Sequence, residues 1–143
     1  MGSEMCIRDR AQNFAWLLSR FAQDTAGVRE AVAVSADGLL LASSAGIDTS
    51  GVDQFAAIAA GLTSLTNGAA HCLGCGVVDQ VVVEMTQGNL FVMSMGHGAS
   101  LAVLCQSGAD IAQVAYEMTL LADRAGSALS PELISELKNV LTV

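Results

Sequence analysis

Apolar residues recur at Phe14, Leu17, Leu18 and Phe21, the i, i+3, i+4, i+7 spacing of a helix that lays one stripe on a core. Thr25-Ala26-Gly27 ends that helix. Trp16 falls roughly 160–200° from the stripe on a wheel of 3.6 residues per turn, so it points away from its own core. The period then changes. Residues 31–35 and 39–43 are short apolar runs joined by Ala36-Asp37-Gly38, and Asp-Gly supplies the positive backbone angle that a tight hairpin needs. Residues 46–50 read as a loop, and Ser50-Gly51-Val52-Asp53 matches a capping box opening a second helix that reaches about Cys72.

That second helix has two faces. Phe55, Ile58, Ala59, Leu62, Leu65 and Ala69 form an apolar stripe, while Ala57, Ala60, Gly61, Ser64 and Gly68 form a face with almost no side chain. Glycine inside a helix costs about 1 kcal/mol relative to alanine. Close packing against another backbone would offset that cost, either at a crowded crossing within the chain or at a contact with another molecule.

Three further strands are predicted at 77–85, 90–95 and 101–105, separated by the turns Gln87-Gly88-Asn89 and Gly96-His97-Gly98. Asp110 caps a third long helix with the stripe Ile111, Val114, Ala115, Met118, Leu121 and Ala125. Tyr116 and Leu120 lie off that stripe, and Gly126 is expected to stop the helix. Ser130-Pro131-Glu132 opens a short amphipathic tail through Leu133, Leu137, Val140 and Leu141. The order α-β-β-α-β-β-β-α plus a C-terminal helical tail predicts an α/β (α+β) fold, a five-stranded antiparallel sheet with helices on both faces. Residues 1–10, MGSEMCIRDR, have no periodicity and read as a non-native leader, leaving a domain over 11–127 and the tail over 128–143.

A chain of 143 residues with 52% apolar content and one proline can build one core without disulfides or metals. The basic residues are Arg8, Arg10, Arg20, Arg29, Arg124 and Lys138, so residues 30–123 carry no positive side chain and the net charge is -8. That gap argues against nucleic-acid binding and against a phosphate-gripping P-loop, which needs a lysine after its glycines. The charge-free windows 54–78 and 85–109 are interrupted by Thr63, Ser64, Thr66, Asn67, His71, Gln87, Asn89 and several glycines, so membrane insertion is not expected. No secretory signal precedes the domain, which predicts a cytoplasmic protein with reduced cysteines.

Candidate chemistry is sparse. His71-Cys72-Leu73-Gly74-Cys75 contains one C-x-x-C, but it follows the C-terminal end of a helix, where the dipole disfavours a thiolate. A structural zinc site would need two more ligands, and His97 and Cys105 are expected elsewhere. There is no G-x-S-x-G elbow. Asp79 and Glu84, five apart in one predicted strand, point to opposite faces. No catalytic, metal or cofactor-binding residue is therefore assigned, and the chain is expected not to be an enzyme.

The hairpin VSADGLLLAS, the helix DQFAAIAAGLTSLTNGAA and the strands VVVEMTQGNLFVMSM, in this order, resemble the roadblock/dynein light-chain family over about residues 11–126. NFAWLLSRF, VSADGLLLASS and SPEL are similar to roadblock proteins of actinobacterial conservon operons, which encode a sensor-kinase-like protein, a roadblock protein, a small helical partner and a Ras-like GTPase together. The resemblance implies a homodimer in which the strand at 77–85 pairs with its twin and the second helices lie side by side. Ala57, Ala60, Gly61, Ser64, Gly68, Val81 and Val83 are then the candidate interface. It further implies a platform for a small Ras-like GTPase, with the sensor-kinase-like protein as a further partner. Two other readings stand beside it. A small-molecule sensor would show convergent polar residues inside the apolar stripes, and none are evident; a zinc or thiol-redox protein would rest on Cys72 and Cys75 alone.

Overall fold

The structure, a computed structural model, describes residues 3–44 and 49–142. Its elements are α1 (Ser3–Asp24), β1 (Val28–Val34), β2 (Leu40–Ser43), α2 (Thr49–Cys72), β3 (Gln80–Met85), β4 (Gly88–Gly96), β5 (Ala99–Gln106), α3 (Ile111–Ala128) and α4 (Pro131–Thr142). The strands form one antiparallel sheet in the order β2-β1-β5-β4-β3. Sequence order and the three hairpins β1–β2, β3–β4 and β4–β5 dictate most of it. Joining them places β1 against β5, from Val28 opposite Cys105 to Val34 opposite Ser100.

Side chains alternate across the sheet, so the sheet separates two cores. Ala31, Ala33, Phe91, Met93, Leu101, Val103 and Cys105 meet Phe14, Leu18 and Phe21 of α1, Val114, Met118 and Leu121 of α3, and Leu133 and Leu137 of α4. On the other face Val32, Val34, Leu90, Val92 and Ala102 meet Val52, Ala56 and Ala59 of α2, with Val81 and Val83 packed at the margin. Three helices therefore cover one face and a single helix the other. The predicted tail is α4, which packs on β2 and α1; Ser130 caps it by accepting from the Leu133 amide at 3.1 Å.

Several local expectations change in detail. Helix α1 runs back to Ser3, through residues read as a leader. Thr49 and Ser50 are already in the first turn of α2; most of the expected 46–50 loop lies outside the described residues. The β3–β4 turn is Thr86-Gln87, because Gly88 and Asn89 already pair in the ladder, with Met85 opposite Gly88. Asp79 lies just ahead of β3 rather than within it. The β4–β5 turn matches expectation: His97 and Gly98 are both left-handed, with φ of 54° and 80°, as a type I′ hairpin requires.

Gly126 does not stop α3, which continues to Ala128. Its role is close approach: a Cβ there would stand 2.5 Å from the Met95 carbonyl oxygen of β4. The absent side chain lets α3 lie on the sheet. In the β1–β2 turn Ser35 donates its hydroxyl to Asp37, and the Lys138 ammonium of α4 lies 3.2 Å from the same carboxylate. These bonds hold the Asp37 carboxyl below its ordinary value of 3.8, the Ser35 hydrogen bond first and Lys138 second. A depressed carboxylate stabilises the fold above its unfolded pKa and loses that contribution as pH falls through the folded value.

Gly126→Ala is expected to destabilise the fold by about 1–3 kcal/mol in chemical denaturation, the range for overpacking against an element that cannot yield. Gly51→Ala, in the first turn of α2 with open space around it, should be neutral or stabilising by up to about 1 kcal/mol.

Candidate functional site

Helix α2 shows how the candidate surface is built. Val52, Ala56 and Ala59 are buried against the sheet, Phe55, Leu62, Thr63 and Thr66 are half-buried beside them, and the remaining turns face outward. This contact face is rotated from the predicted stripe. Ile58 and Leu65 are 55% and 74% exposed, so they belong to the outer face and not to the core. The preference of the hydrophobic count for large side chains misplaced them; the small Ala56 and the hydroxyl-bearing Thr63 take the inner positions instead.

Ala57, Gly61, Ser64 and Gly68 lie exposed on the outer side, together with Ile58 and Leu65. A Cβ added at Gly61 or Gly68 would meet nothing within 4 Å. A crowded crossing inside the chain therefore does not account for these glycines. Ala60 differs from the other four: it is half-buried, and its Cβ would sit 3.6 Å from one built on Gly38, so it belongs to the margin of the inner packing.

Strand β3 is the sheet edge next to this face. Among the described residues it pairs only with β4, and Val81 and Val83 turn inward onto α2. What the edge offers is its backbone ladder and, on the opposite face, Val82 at 37% exposure. Met85 is 49% exposed at its end, and Glu84 is its one charged side chain. Leu73 and Val77, in the connection from α2, are 74% and 85% exposed. The outer face of the helix, the connection and the edge ladder thus lie beside one another with few charges, while Val82 faces the other side of the sheet.

Between the C-terminal half of α2 and the sheet lies a hollow of about 380 Å³, reached from Thr63, Thr66, Asn67, Asp79, Ser94 and Ser100. The sequence pattern hid this convergence because its residues come from four separate segments. The Thr63 hydroxyl donates to the Ala59 carbonyl at 3.0 Å and lies 3.3 Å from that of Ser100; the Thr66 hydroxyl donates to the Leu62 carbonyl at 2.7 Å. These hydroxyls are engaged with the protein itself.

Cys72 and Cys75 are exposed and free, and Cys105 is buried in β5, where desolvation pushes its thiol up to about 11. His97 sits on the β4–β5 turn. Among the described residues no group of three or more His, Cys, Asp or Glu side chains could hold a metal, and no helix is long and apolar enough to cross a membrane.

The profile of the Roadblock/LC7 domain matches residues 14–105. A crystal structure of a Roadblock/LC7 domain from Streptomyces avermitilis is 40% identical, with 77% of this chain and 92% of that one covered and a TM-score of 0.73. The chain belongs to the Roadblock/LC7 family. A second Roadblock/LC7 domain from the same organism is 34% identical over 77% of this chain and 95% of that one, with a TM-score of 0.65. The gliding protein MglB from Thermus thermophilus shares the fold at 20% identity and a TM-score of 0.72, covering 90% of this chain and 92% of that one. Among curated proteins no sequence matches the chain.

Within this Roadblock/LC7 domain no metal-ligand set surrounds the C-x-x-C segment among the described residues. Cys72→Ser combined with Cys75→Ser is expected to leave the unfolding free energy within about 0.5 kcal/mol of the parent, the range for surface substitutions. Stoichiometric zinc in the parent protein, lost together with stability in the double variant, would contradict this.

Proposed function

We propose that this chain is a dimeric, non-enzymatic adaptor or regulator of a small Ras-like GTPase in bacterial signalling. The observation that carries the reading is the unpartnered surface formed by α2 and β3. Two helix glycines each cost about 1 kcal/mol without any contact inside the chain, beside exposed Ile58 and Leu65 and an edge strand without proline. A second copy docked there offsets all of these at once. In the proposed dimer β3 pairs with its twin through its backbone, and Ala57, Gly61, Ser64 and Gly68 let the two α2 helices approach. Ala60, Val81 and Val83 support the contact from beneath.

Family membership supports the GTPase part: the resemblance to conservon roadblock proteins implies a platform for a small Ras-like GTPase, and the two Streptomyces relatives agree with that setting, in which a sensor-kinase-like protein is a further partner. Regulatory rather than catalytic roles are general in the family. The apolar, weakly charged surface suits a protein partner better than a nucleic acid, and the Thr63 and Thr66 hydroxyls of the hollow, already bonded to helix carbonyls, give a small-molecule sensor little support. A cytoplasmic location accords with all of this.

Light scattering at micromolar concentration is expected to give at least twice the 14.6 kDa chain mass. Ser64→Leu should weaken the dimer by inserting bulk at the helix contact, whereas Ser107→Leu, on the exposed turn after β5, should not; a monomeric parent protein would remove the platform. Any stimulation of GTP hydrolysis should act without an arginine finger, which can be worth about 10³ to 10⁵ in rate. Arg20 and Arg124 lie on α1 and α3, across the sheet from α2, and Arg29 lies at the start of β1. In single-turnover hydrolysis by a Ras-like GTPase encoded beside this chain, alanine at each of these positions should leave any stimulation unchanged. Loss of about 10²-fold or more with binding intact would show a catalytic arginine.

A further inference from the structure

Trp16, Tyr116 and Leu120, at 58%, 60% and 41% exposure, lie on α1 and α3, across the sheet from α2, and have no part in the proposed dimer. Single exposed apolar residues are ordinary, but tryptophan, tyrosine and arginine are the residue types that anchor protein interfaces. Between the two helices runs a groove of about 260 Å³, with Leu17, Phe21, Leu120 and Leu121 in its lining. Gly27, just after α1, packs against Ala109, just before α3: a Cβ on the glycine would stand 2.5 Å from that of the alanine. Helix α1 arrives at this corner and α3 departs from it, so the two run in opposite senses. Asp24 and Thr25 therefore lie toward the Glu117 end of the groove, and Trp16 toward the Arg124 end.

The two ends differ in chemistry. Arg20 is satisfied inside the chain, its guanidinium 3.2 Å from the Asp24 carboxylate and 5.6 Å from the centre of the Trp16 ring. Glu117 accepts from the Gln113 amide at 2.9 Å and meets no cation among the described residues. Thr25 is only 7% exposed, and its hydroxyl has no hydrogen-bond partner among the described residues. No side-chain oxygen among them is both sealed and unbonded, so this hydroxyl opens onto the groove that Thr25 lines. At the other end the Arg124 side chain forms neither an ion pair nor a hydrogen bond among the described residues. Glu117 and Arg124 are seven residues apart, two turns and about 10.5 Å along one face of α3. The groove thus offers an acceptor end, an apolar middle and a donor end.

We infer that the α1–α3 groove receives an amphipathic helix of another protein, whose aliphatic stripe is flanked by a basic and an acidic side chain about two turns apart. The basic group meets Glu117 and the Thr25 hydroxyl, the carboxylate meets the Arg124 guanidinium, and the stripe fills the groove beside Trp16 and Leu120. A small ligand of the groove's volume would leave Tyr116 and much of Trp16 uncovered; a third helix laid along the other two covers both. The surface lies across the sheet from α2 and does not depend on the dimer.

Trp16 is the only tryptophan, so its emission reports on this groove. Three tryptophan-free synthetic peptides of about 20 residues, long enough to hold a helix alone, carry the same leucine stripe. Their flanking pair is Lys with Glu, Lys with Lys, or Glu with Glu. Affinity is read from the anisotropy of labelled peptide, and location from Trp16 emission at a fixed protein concentration of about 1 μM, in about 0.15 M salt, where charge beyond about 8 Å is screened. The mixed peptide is expected to bind at least about 3-fold tighter than either like-charged one, the scale of exposed charge contacts, with a blue shift of Trp16 emission. Arg124→Glu should make the Lys–Lys peptide the tightest, a gain that also shows the variant to be folded. Trp16→Ser with Leu120→Ser should weaken all binding at least about 10-fold with an unchanged denaturation midpoint, as loss of interface anchors does. Ser64→Leu, on α2, should alter none of these affinities, so a lost dimer and a lost groove are read separately. The net charge of -8 by itself favours the Lys–Lys peptide in the parent protein. That order, binding without the Trp16 shift, or no binding below about 1 mM overturns the inference.

Discussion

A helix is about 10–12 Å across with its side chains, whereas five strands spaced about 4.8 Å apart make a sheet roughly 20 Å wide. One helix cannot cover such a face. On the side of α1, α3 and α4 the difficulty does not arise, because three helices share the area and bury Phe91, Leu101 and Val103 almost completely. On the side of α2 a single helix seals the middle, over Val32, Val34, Val92 and Ala102, and leaves β3 at the margin. The half-burial of Val81 and Val83 and the hollow beside Thr63 and Thr66 follow from that mismatch, while the ladder of β3 is open because that strand ends the sheet.

The mismatch also explains why the same helix combines unlike faces. Its inner face needs small residues where it must lie close to the sheet, at Ala56 and Ala59, and larger ones such as Phe55 and Leu62 where it reaches toward the flanks. Its outer face has no such duty within the chain, yet it carries Ile58, Leu65 and two glycines. In the proposed dimer a second copy of α2 and a second sheet supply the missing cover. The acidic balance of the chain then restricts which partners can approach, because no basic side chain lies between Arg29 and Arg124.

Element order and the antiparallel sheet with helices on both faces were legible in the sequence because local signals agreed: a sharp change of period, Asp-Gly in one turn, Asp110 and Ser130 at helix starts. The misreadings share a physical cause. Gly126 and Gly88 look like punctuation along the chain, but each is set by a neighbour distant in sequence, the carbonyl of Met95 for one and that of Cys105 for the other. Likewise the outward position of Ile58 and Leu65 depends on the angle at which α2 meets the sheet, which the helical period alone leaves open. Trp16 was legible as outward-facing; that Arg20 stacks beside it, and that Leu120 and Arg124 stand across a groove from it, required the packing of α1 on α3.

Helix α2 runs for 24 residues, about 36 Å at 1.5 Å per residue, but its buried anchors Val52, Ala56 and Ala59 lie in its first half. Beyond Asn67, residues Gly68, Ala69, His71 and Cys72 are exposed. These last turns are thus held mainly by their own backbone hydrogen bonds, with Gly68 weakening the coil-to-helix balance there. In an isolated chain those amides exchange with solvent through local opening, at a free energy well below that of global unfolding. Docking of anything along the outer face raises that energy, so the distal half of α2 links the order of the helix to the occupancy of the surface it forms.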